Sequence, residues 1–501
     1  MSDQADKAAI GSLEFPEPDP ELKGTRGLGL IKYFGPGAIV ASLTIGSGET
    51  VFASRGGAVF GFSLLWLFFL AAIAKGFQVY SGSRHITLTG EHPLQSWNRI
   101  PFLRFWFPAF IAVTTLICYP FWLAGLPKML GGLTNWIFDI PDMIPAEGGG
   151  ALVPSERYDF LKKVWGTTFI AGGVIITMLQ SYKWLERAQA MIVGLLLFSL
   201  LAAAIASSPD ILEVLVGTFV PTQPRYPDWA ITKYPADFGQ RPIWMELALY
   251  AGAMGGGAPD YIGYIGMLRE KTWGLLGGKR TNPVYGVGVP TPLSESPEQV
   301  ERARIWLRPP SADVVISFVC VIIFTFTFVT LGAQVLGARQ IAPSGNNLLT
   351  EQKDFLAQIH PSLTYLYQVG VFMAFIGTII GIFEVYTRTA HECVMAVVPR
   401  WRNVTVDQVR PVVIVYCTVS ALWFLWGDIN PVALVTPAAV LSSVLTCGLW
   451  CFASAWADRT LLPKAYRMPG WVLAGLLLSG AFLTVLGVKG VVATIGFFLE
   501  N

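Results

Sequence analysis

Eleven apolar runs decide what this chain can fold into. A helix needs roughly 20 mostly apolar residues to cross the hydrocarbon core of a bilayer. Runs of that kind lie at about 34–57, 59–80, 105–126, 164–181, 188–206, 244–267, 311–337, 363–387, 411–427, 431–456 and 471–497. With no water in that layer to satisfy backbone N–H and C=O groups, such runs fold as helices. The 501 residues are 53% hydrophobic and 14% charged, whereas soluble domains carry about 25% charged residues. The expectation is an all-α polytopic membrane protein. Tyr182-Lys183-Trp184-Leu185-Glu186-Arg187 interrupts one long apolar region and reads as a tight turn between the fourth and fifth spans.

Two spans are interrupted from within. The first carries Gly46-Ser47-Gly48-Glu49 at its centre. The sixth carries Gly252 and then Met254-Gly255-Gly256-Gly257-Ala258-Pro259-Asp260. Glycine is the weakest non-proline helix former, and serine competes for backbone bonds. A carboxylate at mid-bilayer is costly and faces a cavity or a partner. Interrupted spans in corresponding positions of two halves point to the midplane site of a secondary transporter. The plainer reading, two kinked helices packed through small residues, accounts less well for a carboxylate at both.

The 23 of 35 Lys and Arg residues that fall on one set of loops predict a cytoplasmic N-terminus. With eleven spans the C-terminus is then external. Residues 1–32, acidic and containing Pro16, Pro18 and Pro20, read as a disordered cytoplasmic tail without the apolar core of a signal peptide. A transporter core follows over 33–457, with helices one to five at about 33–206 and six to ten at about 244–457. An additional helix occupies 471–497. The external segment 128–162 reads as irregular, 207–243 is rich in Pro and aromatics with Tyr226 and Trp229 expected at the interface, and Glu298 to Trp306 reads as a short surface helix or a gate. The lack of a signal peptide makes a plasma or bacterial inner membrane the expected home.

Several classes are disfavoured. A net charge of +2 gives no footprint for nucleic acid. No two of the six cysteines form a C-x-x-C pair. His391-Glu392 is followed by Cys-Val-Met, so it is not H-E-x-x-H, and neither G-x-S-x-G nor a Walker A pattern occurs. The chain is not expected to be an enzyme, to hold a resident cofactor or to use ATP. The partners expected are the lipid bilayer and a small ion or solute, the energy coming from an ion gradient or the substrate's own.

Gly35-Pro36-Gly37, eight apolar or small residues, then Gly46-Ser47-Gly48-Glu49 resembles the first helix of the Nramp family of divalent metal-ion transporters, which has Gly-Pro-Gly, eight residues and Asp-Pro-Gly-Asn. The likeness continues through Gly57-Ala58, Gly61-Phe62-Ser63-Leu64-Leu65-Trp66, Gln78 and Gly90. It recurs weakly at Trp184-Leu185-Glu186-Arg187 and Val216-Gly217-Thr218-Phe219-Val220-Pro221. Ala258-Pro259-Asp260 sits where the family has Met-Pro-His. The resemblance implies a LeuT-type fold, a 5+5 inverted repeat with broken helices one and six. It also implies which residues differ. Gly46 replaces the ligand Asp, Glu49 the ligand Asn and Ala258 the ligand Met, while Asp260 replaces a His linked to proton movement. Thr114, Thr115, Cys118 and Tyr119 occupy the third span, where the family has carboxylates for proton transfer. By the same analogy the carbonyls of Leu43 and Gly255 would contribute to a site.

Glu49 and Asp260 are the candidate metal ligands. Two hard oxygen donors, without the family's thioether, suit Mg²⁺ before Mn²⁺. The room left by three glycines equally admits a small organic solute, an amine or amino acid coupled to Na⁺ or H⁺, and a non-transporting sensor on the same fold stays open. On the eighth span Glu384 and Arg388 are four apart and share a helix face. A structural pair is the plain reading and a coupling or gating role the sharper one, with His391 one turn further on. Lys75 is expected to snorkel or to meet a carboxylate, and Arg55 to snorkel at the outer end of the first span. Ser442 and Ser443 on the tenth span reach either the cavity or a neighbouring helix.

Overall fold

Helix lies at each of the eleven expected positions. The structure is a computed structural model that describes residues 12–37, 45–145, 152–179, 183–277, 288–343, 348–401, 403–427 and 429–500. Among these, seven helices are long and apolar enough to cross a membrane, or up to eight if the bent pair Val193–Ala206 and Ile211–Phe219 counts as one span. The sixth span fails that test because it is two short helices, Ile243–Ala253 and Ala258–Met267. The first span is helical over its described part. It runs in wide i→i+5 turns from Ile45 to Ala53 and as α-helix from Ser54 to Phe60. Gly61, at φ 59°, reverses the chain into the second span, Leu65–Thr89. Wide turns recur at Gly332–Leu336 after the seventh span and at Leu441–Leu445 within the tenth.

The helices pack as two groups. The seventh span, Arg308–Leu331, lies against the first and second spans, and Ile243–Ala253 packs on the same two. The third span, Trp106–Ile137, gathers the fourth, eighth and ninth: Glu156–Leu179, Leu363–Val397 and Val406–Trp426. Ala258–Met267 packs along the eighth span and so joins the groups. The last helix, Gly470–Glu500, leans on Thr446–Leu461 and Leu65–Thr89. It shows an outward stripe of Trp471, Leu478, Val485, Val492 and Leu499. That seven-residue repeat, two helical turns, faces the hydrocarbon rather than water.

The connecting segments carry more structure than expected. The third helix continues to Ile137, and strands β1 (Met143–Pro145) and β2 (Leu152–Pro154) pair antiparallel after it. Residues 207–243 hold Ile211–Phe219 and Asp228–Lys233, the first of them bent 111° from the fifth span. The surface helix expected near Glu298 runs Pro297–Trp306.

The disordered tail expected over residues 1–32 is corrected for residues 12–32. Leu13 bridges Leu293, and the Phe15 N–H donates to Gln299 at 2.6 Å. The Phe15 ring is buried and stacks on Tyr466 with centroids 5.8 Å apart. Leu22, on the Pro20–Gly24 turn of helix, is also buried. Two apolar side chains spaced along a proline-rich strand are enough to dock it, because proline has already removed much of the entropy that docking costs. On the same face Arg99 donates to Val289 O at 3.1 Å, and Asn98 to Ala396 O at 2.9 Å. On the opposite face Lys233 donates to Gln340 O at 3.0 Å. The loops therefore divide between two faces as the alternation of spans requires.

Candidate functional site

The interruption in the sixth span is a true break. Gly255 and Gly256 adopt φ of 66° and 89°, values that L side chains rarely tolerate. The chain turns there: the Met254 N–H makes the last bond of the first half, to Tyr250 O at 3.2 Å, the Gly257 carbonyl accepts the first of the second half, from Tyr261 N–H at 3.0 Å, and the groups between leave the helical ladder. Every polar group so freed inside a membrane needs a partner. The amides find carboxylates: Gly255 N–H donates to Glu49 Oε1 at 3.0 Å and Gly257 N–H to Asp260 Oδ2 at 2.8 Å. The carbonyls find cations and hydroxyls. Lys75 Nζ reaches the oxygens of Ala251, Gly252, Met254 and Gly256 at 2.8, 2.9, 2.6 and 2.6 Å. Tyr261 donates its hydroxyl to Gly255 O at 2.7 Å.

This corrects the expectation for Lys75, which among the described residues neither snorkels nor salt-bridges: it is fully buried and its hydrogen bonds go to backbone. The Gly255 carbonyl accepts the Tyr261 hydroxyl, and the Gly255 amide donates to Glu49. Leu43 lies outside the described residues. Gly46 sits in the wide turns that open the described part of the first span. Ala258 is buried in the first turn of the second half-helix. Gly48 explains how close the two interrupted spans come: a Cβ added there would lie 2.1 Å from the Ala253 carbonyl oxygen.

Glu49 is fully buried, yet only one of its carboxylate oxygens is engaged; Oε2 has no hydrogen-bond partner among the described residues. Beside the break lies a cavity of about 30 Å³ lined by Trp122, Gly256, Asp260, Tyr386 and Ser443. One water needs roughly 10–15 Å³ on that measure, so the space holds about two. Ser443 thus faces the cavity, and Tyr386 is backed by Tyr119 of the third span, their rings stacked 3.9 Å apart. Among the described residues no three His, Cys, Asp or Glu side chains converge on one point. A metal ion here would rely on the two carboxylates and on backbone carbonyls.

Buried ion pairs and hydrogen bonds gather at both ends of the two interrupted spans. At one end Arg55, fully buried, donates to Glu246 Oε1 at 3.1 Å and to the Pro343 carbonyl, with Asp237 at 3.8 Å. Its guanidinium also lies over the Phe238 ring, and Arg241 pairs with the same Glu246. The expected snorkelling of Arg55 is thereby corrected: an acidic partner on the sixth span holds it inside. At the other end Asp313, in the first turns of the seventh span, accepts the amides of Gly35 and Gly37 and the Tyr264 hydroxyl, each at 2.8 Å. Arg269 grips Glu392 through two bonds of 2.7 and 3.1 Å. His92 closes the same end, its Nε2 3.3 Å from Ile262 O while Nδ1 accepts the Leu94 amide. Burial pushes that imidazole down to about 4, which keeps it neutral.

Glu384 and Arg388 do pair, at 2.9 Å, and Arg410 and Glu270 extend the pair into a four-member chain. His391 does not join it. Its Nε2 meets Val404 O at 2.8 Å, one turn further along the helix and against the loop before the ninth span. Sequence reasoning missed Lys75 as a partner of the break, and also Glu246, Asp313, Tyr261 and Tyr264. The available signal was that Arg55 and Glu246 are ionisable residues at matching ends of the two interrupted spans.

Comparison with known proteins bears on the fold. Residues 37–232 match the family Nramp, described as natural resistance-associated macrophage protein-like. No match to a curated protein was found. Among solved structures, the manganese transporter of Eremococcus coleocola, in complex with an aromatic bis-isothiourea substituted compound, superposes with a TM-score of 0.59 at 16% identity, covering 99% of this chain and 92% of that one. MhsT in complex with L-phenylalanine gives 0.52 at 16% identity over 91% and 98% of the two chains. A nucleobase-cation-symport-1 family transporter with bromovinylhydantoin bound gives 0.50 at 12% identity over 93% and 92%. At these identities the likeness is one of fold. The chain is a multi-pass membrane protein of the LeuT type, and its resemblance to Nramp holds over residues 37–232.

Proposed function

We propose that the protein is a secondary-active transporter that carries a divalent metal cation through a site between the first and sixth spans. The observation that carries this reading is the buried Glu49 Oε2, without a partner among the described residues, beside the sixth-span break, with Asp260 on the adjoining cavity. A carboxylate oxygen without a donor at mid-membrane is costly unless a cation visits it. The Nramp match and the solved manganese transporter of like fold support a metal as cargo. The donors available are hard oxygens, and Ala258 supplies no sulfur, which favours Mg²⁺ over Mn²⁺. The N-terminal segment and its loops are assigned to the cytoplasm on their Lys and Arg content, in a plasma or bacterial inner membrane.

Uptake of Mg²⁺ and Mn²⁺ into liposomes carrying the purified protein tests this. Saturable uptake of either ion, lost in Glu49→Gln and in Asp260→Asn, is the expected result. Uptake that survives both substitutions would remove the site from the pathway.

A second reading is a small organic amine. Trp122 and Tyr386 line the cavity, and aromatic faces attract cations. Competition of metal uptake by simple amines, or amine uptake that ignores metals, separates the two.

A further inference from the structure

Lys75 stands in the middle of the second span, fully buried, with its Nζ 2.6–2.9 Å from four carbonyl oxygens of the sixth span. An ammonium has three hydrogens to donate. Four oxygens converge on it, one more than it can bond at once. Carbonyl dipoles gathered in this way about a single positive charge form a coordination shell, the arrangement that strips and replaces water around an ion. The shell is built rather than incidental. The Ala251 and Gly252 carbonyls end the first half-helix, the positive φ of Gly255 and Gly256 brings those of Met254 and Gly256 beside them, and Glu49 and Asp260 hold the Gly255 and Gly257 amides.

We propose that Lys75 is the resident cation of this site, and that a divalent ion takes those carbonyls only by displacing its ammonium. The inference rests on the cation reading above and names the group that competes with the cargo. Two positive charges at such separation in a low-dielectric site repel strongly, so the shell holds one or the other. A tethered occupant also keeps positive charge among the four carbonyls when no ion is bound, which lets the empty carrier stay folded and return.

Titration calorimetry of the purified full chain with Mg²⁺ and with Mn²⁺ tests this, with the parent, Lys75→Met, Glu49→Gln and the double variant compared. Removal of the competitor is expected to tighten binding by at least about tenfold, ~1.4 kcal/mol, and Glu49→Gln to cancel the gain. If Lys75→Met binds no more tightly than the parent while Glu49→Gln still abolishes the parent's binding, the inference is overturned and the site reading stands. If neither the parent nor Lys75→Met binds either ion, the cation reading falls and the inference with it. Should Lys75→Met not survive purification, the variant prepared with and without Mg²⁺ decides. Recovery of monodisperse protein only with the ion supports displacement, because the ion then fills the shell the lysine left; loss under both conditions overturns it.

Discussion

The guanidinium of Arg55 lies 3.1 Å from the carboxylate of Glu246, and neither side chain has any exposed surface. The two residues sit on the first and sixth spans, so the pair ties together the ends of the two interrupted helices at one face. Around them Asp237, Arg241 and the Pro343 carbonyl complete the partners. Removing one member of such a pair leaves buried charge uncompensated, at a cost of roughly 3–5 kcal/mol.

Glu246→Met should therefore lower thermal stability sharply, since it leaves Arg55 and Arg241 facing each other. The double variant Arg55→Met/Glu246→Met should lose less than Glu246→Met alone. Melting followed by intrinsic fluorescence in detergent checks the order. A double variant as unstable as the single would mean that packing, not charge, holds this end shut.

At the other end Asp313 holds the start of the first span through the amides of Gly35 and Gly37. Asp313→Asn turns one acceptor oxygen into a donor that faces other donors. Hydrogen bonds to a charged group contribute about 1.5–3 kcal/mol, so opening at this face should become at least about tenfold more frequent. A cysteine placed at the buried Ser317, which neighbours Gly37, reports it: a membrane-impermeant thiol reagent should label Ser317→Cys faster when Asp313→Asn is present. Equal rates would detach Asp313 from closure.

Gly48→Ala should abolish uptake, because its methyl would sit 2.1 Å from the Ala253 carbonyl oxygen and force the two interrupted spans apart. Overpacking of this kind costs about 1–3 kcal/mol. Gly172→Ala meets nothing within 4 Å and lies inside a helix. It should leave uptake intact and raise stability by up to about 1 kcal/mol. Uptake assays normalised to protein in the membrane distinguish the pair.

Phe15→Ala should release the docked N-terminal segment. Losing a buried phenylalanine costs about 3–5 kcal/mol, enough to accelerate trypsin cleavage at Lys23 or Arg26 by about a hundredfold. An unchanged cleavage rate would show that Leu13 and the Gln299 hydrogen bond hold the segment without the ring.

The positions of the helices were legible in the sequence because hydrocarbon thickness fixes helix length, and eleven runs announced themselves. So was the sixth-span break, since only glycines fit the φ that Gly255 and Gly256 adopt. Glu49 and Asp260 were picked out by their cost at mid-membrane, and both do touch the break. What composition could not reveal was pairing across distant spans. Lys75 and Met254 are 179 positions apart and Asp313 and Gly35 are 278 apart, and no local pattern encodes either contact. The docking of Phe15 was hidden for another reason: acidic, proline-rich surroundings masked two apolar side chains whose receptor is formed by Tyr466 and the Pro297–Trp306 helix.

Three stretches of wide turns, Ile45–Ala53, Gly332–Leu336 and Leu441–Leu445, belong to or pack against the first and sixth spans. A wide turn stores one more residue than an α-helical turn. Surrendering that residue advances everything beyond it by about 1.5 Å and rotates it by about 100°. The protein thus carries its spare length as wound-up thread in the walls around the break, where a one-notch slip of any strand of that thread re-aims a whole helix end without lengthening a single loop.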